Sequence, residues 1–421
     1  MTYRVSHTSK SLKGKITLAA SKSESNRALI IQALCSERFE ITNLATAEDT
    51  VVMKQILDTK SNSPYPEERF DVGGAGTTMR FLTAYFATQP GVFTLTGNER
   101  MKQRPIGILV NALRELGAEI EYLEEEGFPP LKITGKQLMG GEIEIDGNVS
   151  SQFVSALLLI APQLHKGLTI RFKGEVVSRP YIDMTLKMMQ EFRVYGLWHD
   201  DSISVSSQQY HKKSDDGYTY QVEGDWSSAS YWYAIAALAS DADFEISGLK
   251  HPSLQGDAIV ADIFSMLGIK TTYLDDGIQL TKIKSHPEHL GFDFSDCPDL
   301  VQTISVVIAA KRMSAHFTGL RTLKIKETDR ILALQNELSK MGVIVKIEND
   351  DSISISSSPS LHPPECIATY DDHRMVMAFS ALAMIFESIL IENPKAVVKS
   401  YRNFWDDMKA QGFDISQEVL C

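Results

Sequence analysis

Short apolar strands alternate with apolar helices along the whole chain, and one combination of them recurs. In each copy a strand runs into a tight polar turn, and an apolar helix follows. The turns of the successive copies centre on Ser23, Thr77, Ser151, Ser228, Asp299 and His373. The intervals between neighbouring turns are 54, 74, 77, 71 and 74 residues. A nearly constant period of this length indicates an internal repeat.

A second marker follows almost the same period. Strands such as FTLTG and FEISG end at intervals of 54, 77, 74, 71 and 74 residues, at Asn43, Gly97, Gly174, Gly248, Gly319 and Asn393. A further helix and then a hairpin with glycine and acidic residues at its turn come next, as in MLGIKTTYLDDGIQLT. Any α/β protein alternates strands and helices, but two matching markers predict six βαβαββ repeats, the first of them short.

The repeat has a chemical consequence at its polar turns. The first turn of a helix has unpaired backbone N–H groups and the positive end of the helix dipole, so it binds phosphates and carboxylates readily. The six turns are rich in Ser, Thr, Gly and Asp, and four of them have Lys or Arg within a few residues. Several such helix starts in one chain predict a protein that binds multiply charged anions.

Composition restricts the class of protein. The chain has 421 residues, 43% of them hydrophobic, and 42 Lys and Arg against 54 Asp and Glu give a net charge of -12. This charge balance argues against a general surface for binding nucleic acid or membranes, but it is compatible with a local basic pocket.

The start of the sequence lacks the apolar core of a signal peptide, and no apolar run is long enough to span a bilayer. Widely spaced Cys35, Cys297, Cys366 and Cys421 fit neither a disulfide framework nor a zinc site. We therefore expect a cytoplasmic protein.

A series of motifs resembles one family over nearly the whole chain. SKSESNRAL and GAGTTMR are similar to the first two signatures of the enolpyruvylshikimate-phosphate synthases, and RMKQRPIG, SSQF, SRPYID, VEGDWSSAS, SLQGD, KIKETDR and YDDHRMVM follow in the family's order. The resemblance implies the two-domain enolpyruvyl transferase fold, an inside-out α/β barrel with three βαβαββ repeats in each domain. It places one domain at residues 1–20 plus 225–421 and the other at residues 21–224.

The resemblance also implies an activity. The family transfers the enolpyruvyl (1-carboxyvinyl) group of phosphoenolpyruvate to the 5-hydroxyl of shikimate-3-phosphate by addition and elimination, releasing phosphate. The discontinuous domain would carry phosphoenolpyruvate-side and catalytic residues, and the other would carry shikimate-3-phosphate-side residues. These two small molecules are the expected partners. We expect no cofactor, no metal, no nucleic acid or membrane partner, and a monomer.

The shikimate-3-phosphate residues are carried over from the family motif by motif. A Ser-Lys-Ser or a single serine before a helix is more often a plain N-cap. Adjacent hydroxyls suit the several acceptor oxygens of a phosphate better. The resemblance assigns to this substrate Lys22, Ser23, Arg27, Ser150, Ser151, Gln152, Ser178, Tyr181, Asp299 and Lys326.

The phosphoenolpyruvate residues are assigned in the same way. Glycine-rich turns alone are a weak signal, but here a strand precedes the turn and an apolar helix follows. Arginines suit this ligand because their planar groups bind carboxylate or phosphate in a bidentate manner. The resemblance assigns Lys22, Gly76, Thr77, Arg104, Gln152, Arg330, Arg374 and Lys399.

Three residues are the catalytic candidates. A mixture of carboxylates and lysine such as KETDR is most often a solvated helix face. The reaction, however, needs one group to take the 5-hydroxyl proton and another to protonate a vinyl carbon. The resemblance places Asp299 as the base, Glu327 beside the vinyl methylene, and Lys22 beside the leaving phosphate.

Two departures from the family pattern and one alternative site qualify this assignment. Thr322 stands where asparagine is common in the family, and Phe81 stands where many members have proline. Asp371, Asp372 and His373 could form a metal site by composition, but adjacent residues on a helix diverge in direction, so we predict none.

Two competing functions are considered. The related UDP-N-acetylglucosamine enolpyruvyl transferase shares the repeat fold but carries a reactive loop cysteine, and no cysteine lies between Cys35 and Cys297. A repeat protein with a purely structural or binding role would have no need of Lys, Arg and Ser at equivalent turns.

Overall fold

The computed structural model describes residues 1–62, 67–214, 217–285 and 287–418. In chain order the helices are α1 (Lys22–Leu34), α2 (Glu48–Asn62), α3 (Gly76–Ala87), α4 (Glu99–Lys102), α5 (Gly107–Glu115), α6 (Ser151–Ile160), α7 (Arg179–Glu191), α8 (Trp226–Leu238), α9 (Val260–Met266), α10 (Val301–Ala310), α11 (Arg330–Ser339), α12 (His373–Ser380) and α13 (Phe404–Ala410).

The strands are β1 (Thr2–His7), β2 (Ser11–Thr17), β3 (Glu40–Thr42), β4 (Glu67–Asp71), β5 (Gly91–Thr96), β6 (Glu119–Tyr122), β7 (Leu131–Gly135), β8 (Gly141–Asp146), β9 (Leu168–Lys173), β10 (Gly196–Trp198), β11 (Ser202–Val205), β12 (Thr219–Gln221), β13 (Asp241–Ser247), β14 (Ile269–Leu274), β15 (Gly277–Lys282), β16 (His289–Asp293), β17 (Ser314–Thr318), β18 (Val345–Asn349), β19 (Ser352–Ile355), β20 (Ser388–Glu392) and β21 (Phe413–Glu418).

The backbone contacts divide the chain into two compact units. The inserted unit is Ser21–Val222, and the terminal unit combines Met1–Ala20 with Glu223–Cys421. In the inserted unit, two four-stranded sheets have the orders β4-β5-β7-β6 and β8-β9-β11-β10, and β3 pairs with β12. The two larger sheets share one pattern: the first pair of strands is parallel, and a hairpin then adds two antiparallel strands.

The terminal unit repeats this pattern with strands from distant parts of the chain. Its four-stranded sheets have the orders β2-β13-β15-β14 and β16-β17-β19-β18, and in each the first pair is parallel. The third sheet has the order β20-β1-β21, so the first strand of the chain lies between its last two. Each of the described sheets is open, and each remains separate from the others.

Helices that are rich in apolar residues and buried on nearly all faces form the interior of each unit. All twelve residues of α3 are buried in the inserted unit, and every residue of α8 except Ser227 is buried in the terminal unit. A helix without a polar face is stable only when protein surrounds it. The polar residues of these repeats are therefore concentrated at the helix starts.

The cysteines of the described residues are unpaired. Cys35, Cys297 and Cys366 are free thiols, and Cys421 lies outside the described residues. Within the described part of the chain, helices are too short or too polar to cross a membrane.

Candidate functional site

The start of α1 brings the first lysine of the predicted site to the protein surface. Ser21 is the N-cap, with its hydroxyl accepting the Glu24 amide at 3.4 Å, so Lys22 and Ser23 occupy the first turn. The Lys22 side chain is 18% exposed, and its Nζ lies 3.7 Å from Oδ2 of Asp49. The lysine is thus held at a helix start while part of it remains accessible to a ligand.

The glycine-rich turn places two arginines beside the start of α3. Arg80 donates from Nη1 to the Gly76 carbonyl at 2.8 Å. A Cβ atom on Gly76 would lie 2.5 Å from Nη1 of Arg104 and 2.8 Å from Nη1 of Arg80, so both guanidinium groups pack against the bare glycine. Within the described residues, the buried Nε of Arg104 has no hydrogen-bond acceptor. A buried cationic donor without an acceptor is the environment in which an anionic ligand binds well.

Gln152 connects this turn to the start of α6. Its side-chain amide donates to the Thr77 hydroxyl at 3.4 Å. Ser150 is the N-cap of α6 and accepts the backbone amide of Gln152 at 3.4 Å, and Ser151 is the first helical residue. The expected pair of hydroxyls therefore does lie at a helix N-terminus.

Arg27 occupies a different environment from Lys22. It is 3% exposed and donates from Nε to the Thr185 hydroxyl at 2.7 Å and from Nη2 to the Ser155 hydroxyl at 3.0 Å. Residues five apart on a helix are separated by about 140° around its axis, so the two cations of α1 contact different helices. Burial lowers the pKa of Arg27 to about 10.

Phe81 contributes to the enclosure of this arginine. The Arg27 guanidinium lies 5.5 Å from the centre of the Phe81 ring, which is 1% exposed. The bulky residue at the position where proline is common is therefore a packing partner for Arg27 in this chain.

The start of α7 contains the third predicted serine. Ser178 has φ of 55°, in the left-handed region that is uncommon for a residue with a side chain, and its carbonyl accepts the Tyr181 amide at 3.1 Å. The Tyr181 carbonyl in turn accepts from Nη2 of Arg27 at 3.0 Å. The backbone around this serine is therefore set by local hydrogen bonds and by Arg27.

A carboxylate–arginine cluster lies in the terminal unit, and its centre is Arg330. Its side chain is 2% exposed and donates to three carboxylates: from Nε to Asp372 at 2.7 Å, from Nη1 to Asp299 at 3.0 Å and from Nη2 to Glu327 at 2.8 Å. Burial alone would lower the pKa of Arg330, but these three charges outweigh it and raise the pKa. Arg374 completes the cluster, donating from Nη2 to Oδ2 of Asp299 at 2.6 Å.

Lys326 lies beside this cluster, in the loop before α11. The residue is half-buried, desolvation lowers the pKa of its ammonium group, and the charge of Asp299 opposes that effect. Glu327, the next residue, has a side chain that is 20% exposed. Asp299 and Glu327, two of the three predicted proton-transfer residues, both contact Arg330, and their side chains are 19% and 20% exposed.

Lys399 and His373 have distinct surroundings. Lys399 donates to the carbonyl of Asp371 at 2.6 Å and to its carboxylate at 2.7 Å. His373 is buried at the start of α12, with Nδ1 3.6 Å from Asp372. Among the described residues no group of three or more His, Cys, Asp and Glu could hold a metal ion.

The structure adds Tyr231 and Asp49, which the sequence did not single out, and gives Asp372 a role other than that of a metal ligand. Asp372 is the N-cap of α12 and pairs with Arg330, Tyr231 accepts from Nη1 of Arg374 at 3.1 Å, and Asp49 links Lys22 to the turn at Thr77. The N-cap position in YDDHR was a signal available for Asp372. The hydroxyl of half-buried Thr322 is itself buried and has no hydrogen-bond partner among the described residues.

Asp257 is another such residue. It is 3% exposed and accepts the Ser227 hydroxyl. Burial raises its pKa to about 7, and the charge of Asp299 adds to the rise, while Arg374 opposes it. The acid therefore titrates in the folded protein at a pH where an exposed aspartate is fully charged.

We expect this acid to make stability depend on pH. Because the pKa of Asp257 is raised in the folded state, ionising this acid lowers the free energy of unfolding. This loss is absent below about pH 4, where the acid is protonated in both the folded and the unfolded state, and is complete above about pH 7. Relative to Asp257→Asn, the wild type should lose on the order of 2–4 kcal/mol of unfolding free energy over that range. Urea unfolding at several pH values measures this, with exposed Asp262→Asn as the control. If the free energy of unfolding changed with pH in the same way in wild type and in Asp257→Asn, this prediction would be wrong.

Comparison with known proteins agrees with these motifs. The family model for EPSP synthase (3-phosphoshikimate 1-carboxyvinyltransferase) matches residues 6–60 and 59–408. A protein of Bacteroides fragilis named 3-phosphoshikimate 1-carboxyvinyltransferase is 50% identical over 407 residues, covering 96% of this chain and 96% of that protein. A protein of the same name from Colwellia psychrerythraea is 38% identical over 419 residues, covering 94% of this chain and 96% of that protein.

Solved structures give the same result for the fold. EPSP synthase from Acinetobacter baumannii superposes with a TM-score of 0.78 at 22% identity, covering 99% of this chain and all of that one. This likeness confirms the expected two-domain α/β fold. On the family model and the relatives, the chain belongs to the EPSP synthase (3-phosphoshikimate 1-carboxyvinyltransferase) family.

Proposed function

We propose that this enzyme transfers the enolpyruvyl group of phosphoenolpyruvate to the 5-hydroxyl of shikimate-3-phosphate and releases phosphate. The observation that carries the proposal is family membership over nearly the whole chain, together with retention of the motif residues. Relatives with the 3-phosphoshikimate name disfavour the UDP-N-acetylglucosamine alternative. The absence of a cysteine between Cys35 and Cys297 disfavours it as well.

In the proposed addition step, the 5-hydroxyl oxygen bonds to C2 of phosphoenolpyruvate. Asp299 takes the hydroxyl proton, and Glu327 delivers a proton to C3 so that the vinyl carbon becomes a methyl group. In the elimination step the Glu327 carboxylate takes a proton back from the methyl group, the bond from C2 to the phosphate oxygen breaks, and Lys22 supplies a proton to the leaving phosphate. Carboxylates and an amine are groups able to perform these transfers.

The cations would bind the anionic groups of the two substrates. In the inserted unit, the accessible Lys22 and the unsatisfied Nε of Arg104 support a role in binding phosphoenolpyruvate. In the terminal unit Arg330, Arg374 and Lys399 are proposed for the same ligand. Their partners here are carboxylates, so a ligand would share these cations with the protein.

Shikimate-3-phosphate would bind to residues that start helices. Ser150 and Ser151 at α6 and Ser178 before α7 are proposed to bind its 3-phosphate. Ser23 and Arg27 are proposed for its carboxylate. In this structure the Arg27 guanidinium group donates to the hydroxyls of Thr185 and Ser155, so its role would be partly to hold the site in shape.

The terminal unit contains Asp299 and Glu327 and the cations Arg330, Arg374 and Lys399. The inserted unit contains the serines proposed for shikimate-3-phosphate. We propose that the domain expected at residues 1–20 plus 225–421 supplies the catalytic carboxylates and that the domain expected at residues 21–224 supplies most of the shikimate-3-phosphate residues. The residues proposed for phosphoenolpyruvate come from both domains, because Lys22, Gly76, Thr77, Arg104 and Gln152 lie in the inserted unit. Cytoplasmic location and a monomeric state remain predictions, and gel filtration tests the latter.

A turnover and binding experiment tests the function. Phosphate release should require both phosphoenolpyruvate and shikimate-3-phosphate, and UDP-N-acetylglucosamine should not replace the second substrate. Shikimate-3-phosphate at about 100 times its Kd should add about 2.7 kcal/mol of stability, visible as a higher Tm. Stabilisation by the UDP-sugar, with none by shikimate-3-phosphate, would overturn the proposal.

A further inference from the structure

Asp49 connects two helix starts of the inserted unit. It lies in the first turn of α2 and is 7% exposed. Its Oδ1 accepts the Thr77 amide at 2.8 Å, and its Oδ2 lies 3.7 Å from Nζ of Lys22. Its backbone carbonyl accepts the Thr78 hydroxyl at 2.7 Å. One residue outside both motifs therefore contacts the lysine of the first motif and the turn of the second.

The contact with Thr77 supplies a cap that α3 lacks. The residue before α3 is Ala75, whose side chain cannot accept a hydrogen bond. The first amides of a helix have no intrahelical partner, so the Thr77 amide would otherwise be open to solvent or ligand. Asp49 satisfies this amide from another helix, which fixes the first turn of α3.

A cap alone does not require a charge at this position. Asparagine, serine and threonine cap helices about as well as aspartate. A carboxylate that accepts the Thr77 amide at this turn also repels an incoming anion, which works against anion binding there. The charge of Asp49 therefore needs a second role, and its other oxygen points to Lys22.

The geometry at Lys22 fits such a role. At 3.7 Å the two groups form an ion pair that is too long for a hydrogen bond. The carboxylate thus attracts the ammonium group toward the start of α3 while leaving its three N–H donors for a ligand.

We infer that Asp49 is a positioning residue that holds the Lys22 ammonium group beside the first turn of α3, so that the lysine and the turn act on one anion. The identification of this anion as phosphoenolpyruvate rests on the proposed function. The placement of Lys22 and Thr77 by Asp49 does not depend on it.

Amide exchange tests the link to Thr77. Asparagine retains the side-chain oxygen that accepts this amide, whereas alanine removes it. The Thr77 amide should therefore remain protected from hydrogen exchange in wild type and in Asp49→Asn, and lose protection in Asp49→Ala. Asp58→Asn, on the exposed part of the same helix, is the control. Unchanged protection in Asp49→Ala would overturn the inference.

A double-mutant cycle with inorganic phosphate tests the link to Lys22. In the presence of Lys22, Asp49→Asn should raise the Kd for phosphate about tenfold, because the lysine is no longer held in place. In a Lys22→Met background the same substitution should leave the Kd unchanged or lower it, because only charge repulsion remains. Equal changes in the two backgrounds would reduce Asp49 to a structural cap and overturn the inference.

Turnover gives the third readout. Asp49→Asn should lower kcat about 10- to 100-fold through misplacement of the lysine, while Asp58→Asn stays within about twofold of wild type. Wild-type kcat in Asp49→Asn would count against a positioning role. If the wild type itself does not turn over the two substrates, the proposed function fails, and exchange and phosphate binding still decide the role of Asp49.

Discussion

Replacing Arg330 by alanine is expected to lower the unfolding free energy by about 3–5 kcal/mol, because it leaves three carboxylates without their shared cation. The guanidinium group is 2% exposed and lies within 3.0 Å of Asp372, Asp299 and Glu327. Urea unfolding followed by circular dichroism measures the loss, and Arg330→Lys should show a smaller one because one ammonium group cannot reach all three partners.

A surface pair of the same unit provides the control for this result. Arg4 and Glu418 are 44% and 37% exposed and lie 2.8 Å apart. Their pair is expected to contribute at most about 1 kcal/mol, so Arg4→Ala should change stability little. Similar losses in Arg330→Ala and Arg4→Ala would mean that the cluster is no more important to stability than an exposed ion pair.

Glu327→Gln is expected to have the largest effect on turnover. Glutamine has nearly the same shape and can still accept a hydrogen bond from Arg330, but it cannot deliver a proton. If Glu327 protonates the vinyl carbon, kcat should fall by about 10²- to 10⁴-fold. The KM for phosphoenolpyruvate should change much less, since the binding groups remain.

Phosphate release at saturating substrates measures this change, and unfolding curves show whether the fold is intact. Glu348→Gln, at an exposed position of β18, is the matched control and should leave kcat unaltered. Near-normal turnover in Glu327→Gln would remove this residue from the chemistry and leave it a structural partner of Arg330.

The repeat pattern predicted much of the fold because it depends on local rules. Strand, polar turn and apolar helix follow from residue periodicity, and the helices at Lys22, Gly76 and Ser151 begin where the pattern placed them. The two-domain fold itself came from the family resemblance. Residue periodicity could not predict that β1 lies between β20 and β21, because pairing between strands about 400 residues apart leaves no local signal in the sequence.

The candidate site was predictable only in part, and for a similar reason. Motif spacing identified residues near helix starts, but their partners come from other elements. Asp49 contacts Thr77 from 28 residues away, and Asp372 contacts Arg330 from 42 residues away. The resemblance assigned Lys22 and Arg27 to the same substrate, but nothing in the sequence indicated that Arg27 is enclosed by side chains such as Ser155. The roles assigned to the site residues remain predictions.

The placement of β1 has a consequence for synthesis on the ribosome. The inserted unit is complete once Val222 has been made, so it can fold while translation continues. The partners of β1, however, are β20 and β21, whose last residue is Glu418. At about 5–20 residues per second, the first strand remains without a sheet for roughly 20 s or more. During that time its edges are open to pairing with other chains, which makes the nascent terminal unit a candidate client for chaperones.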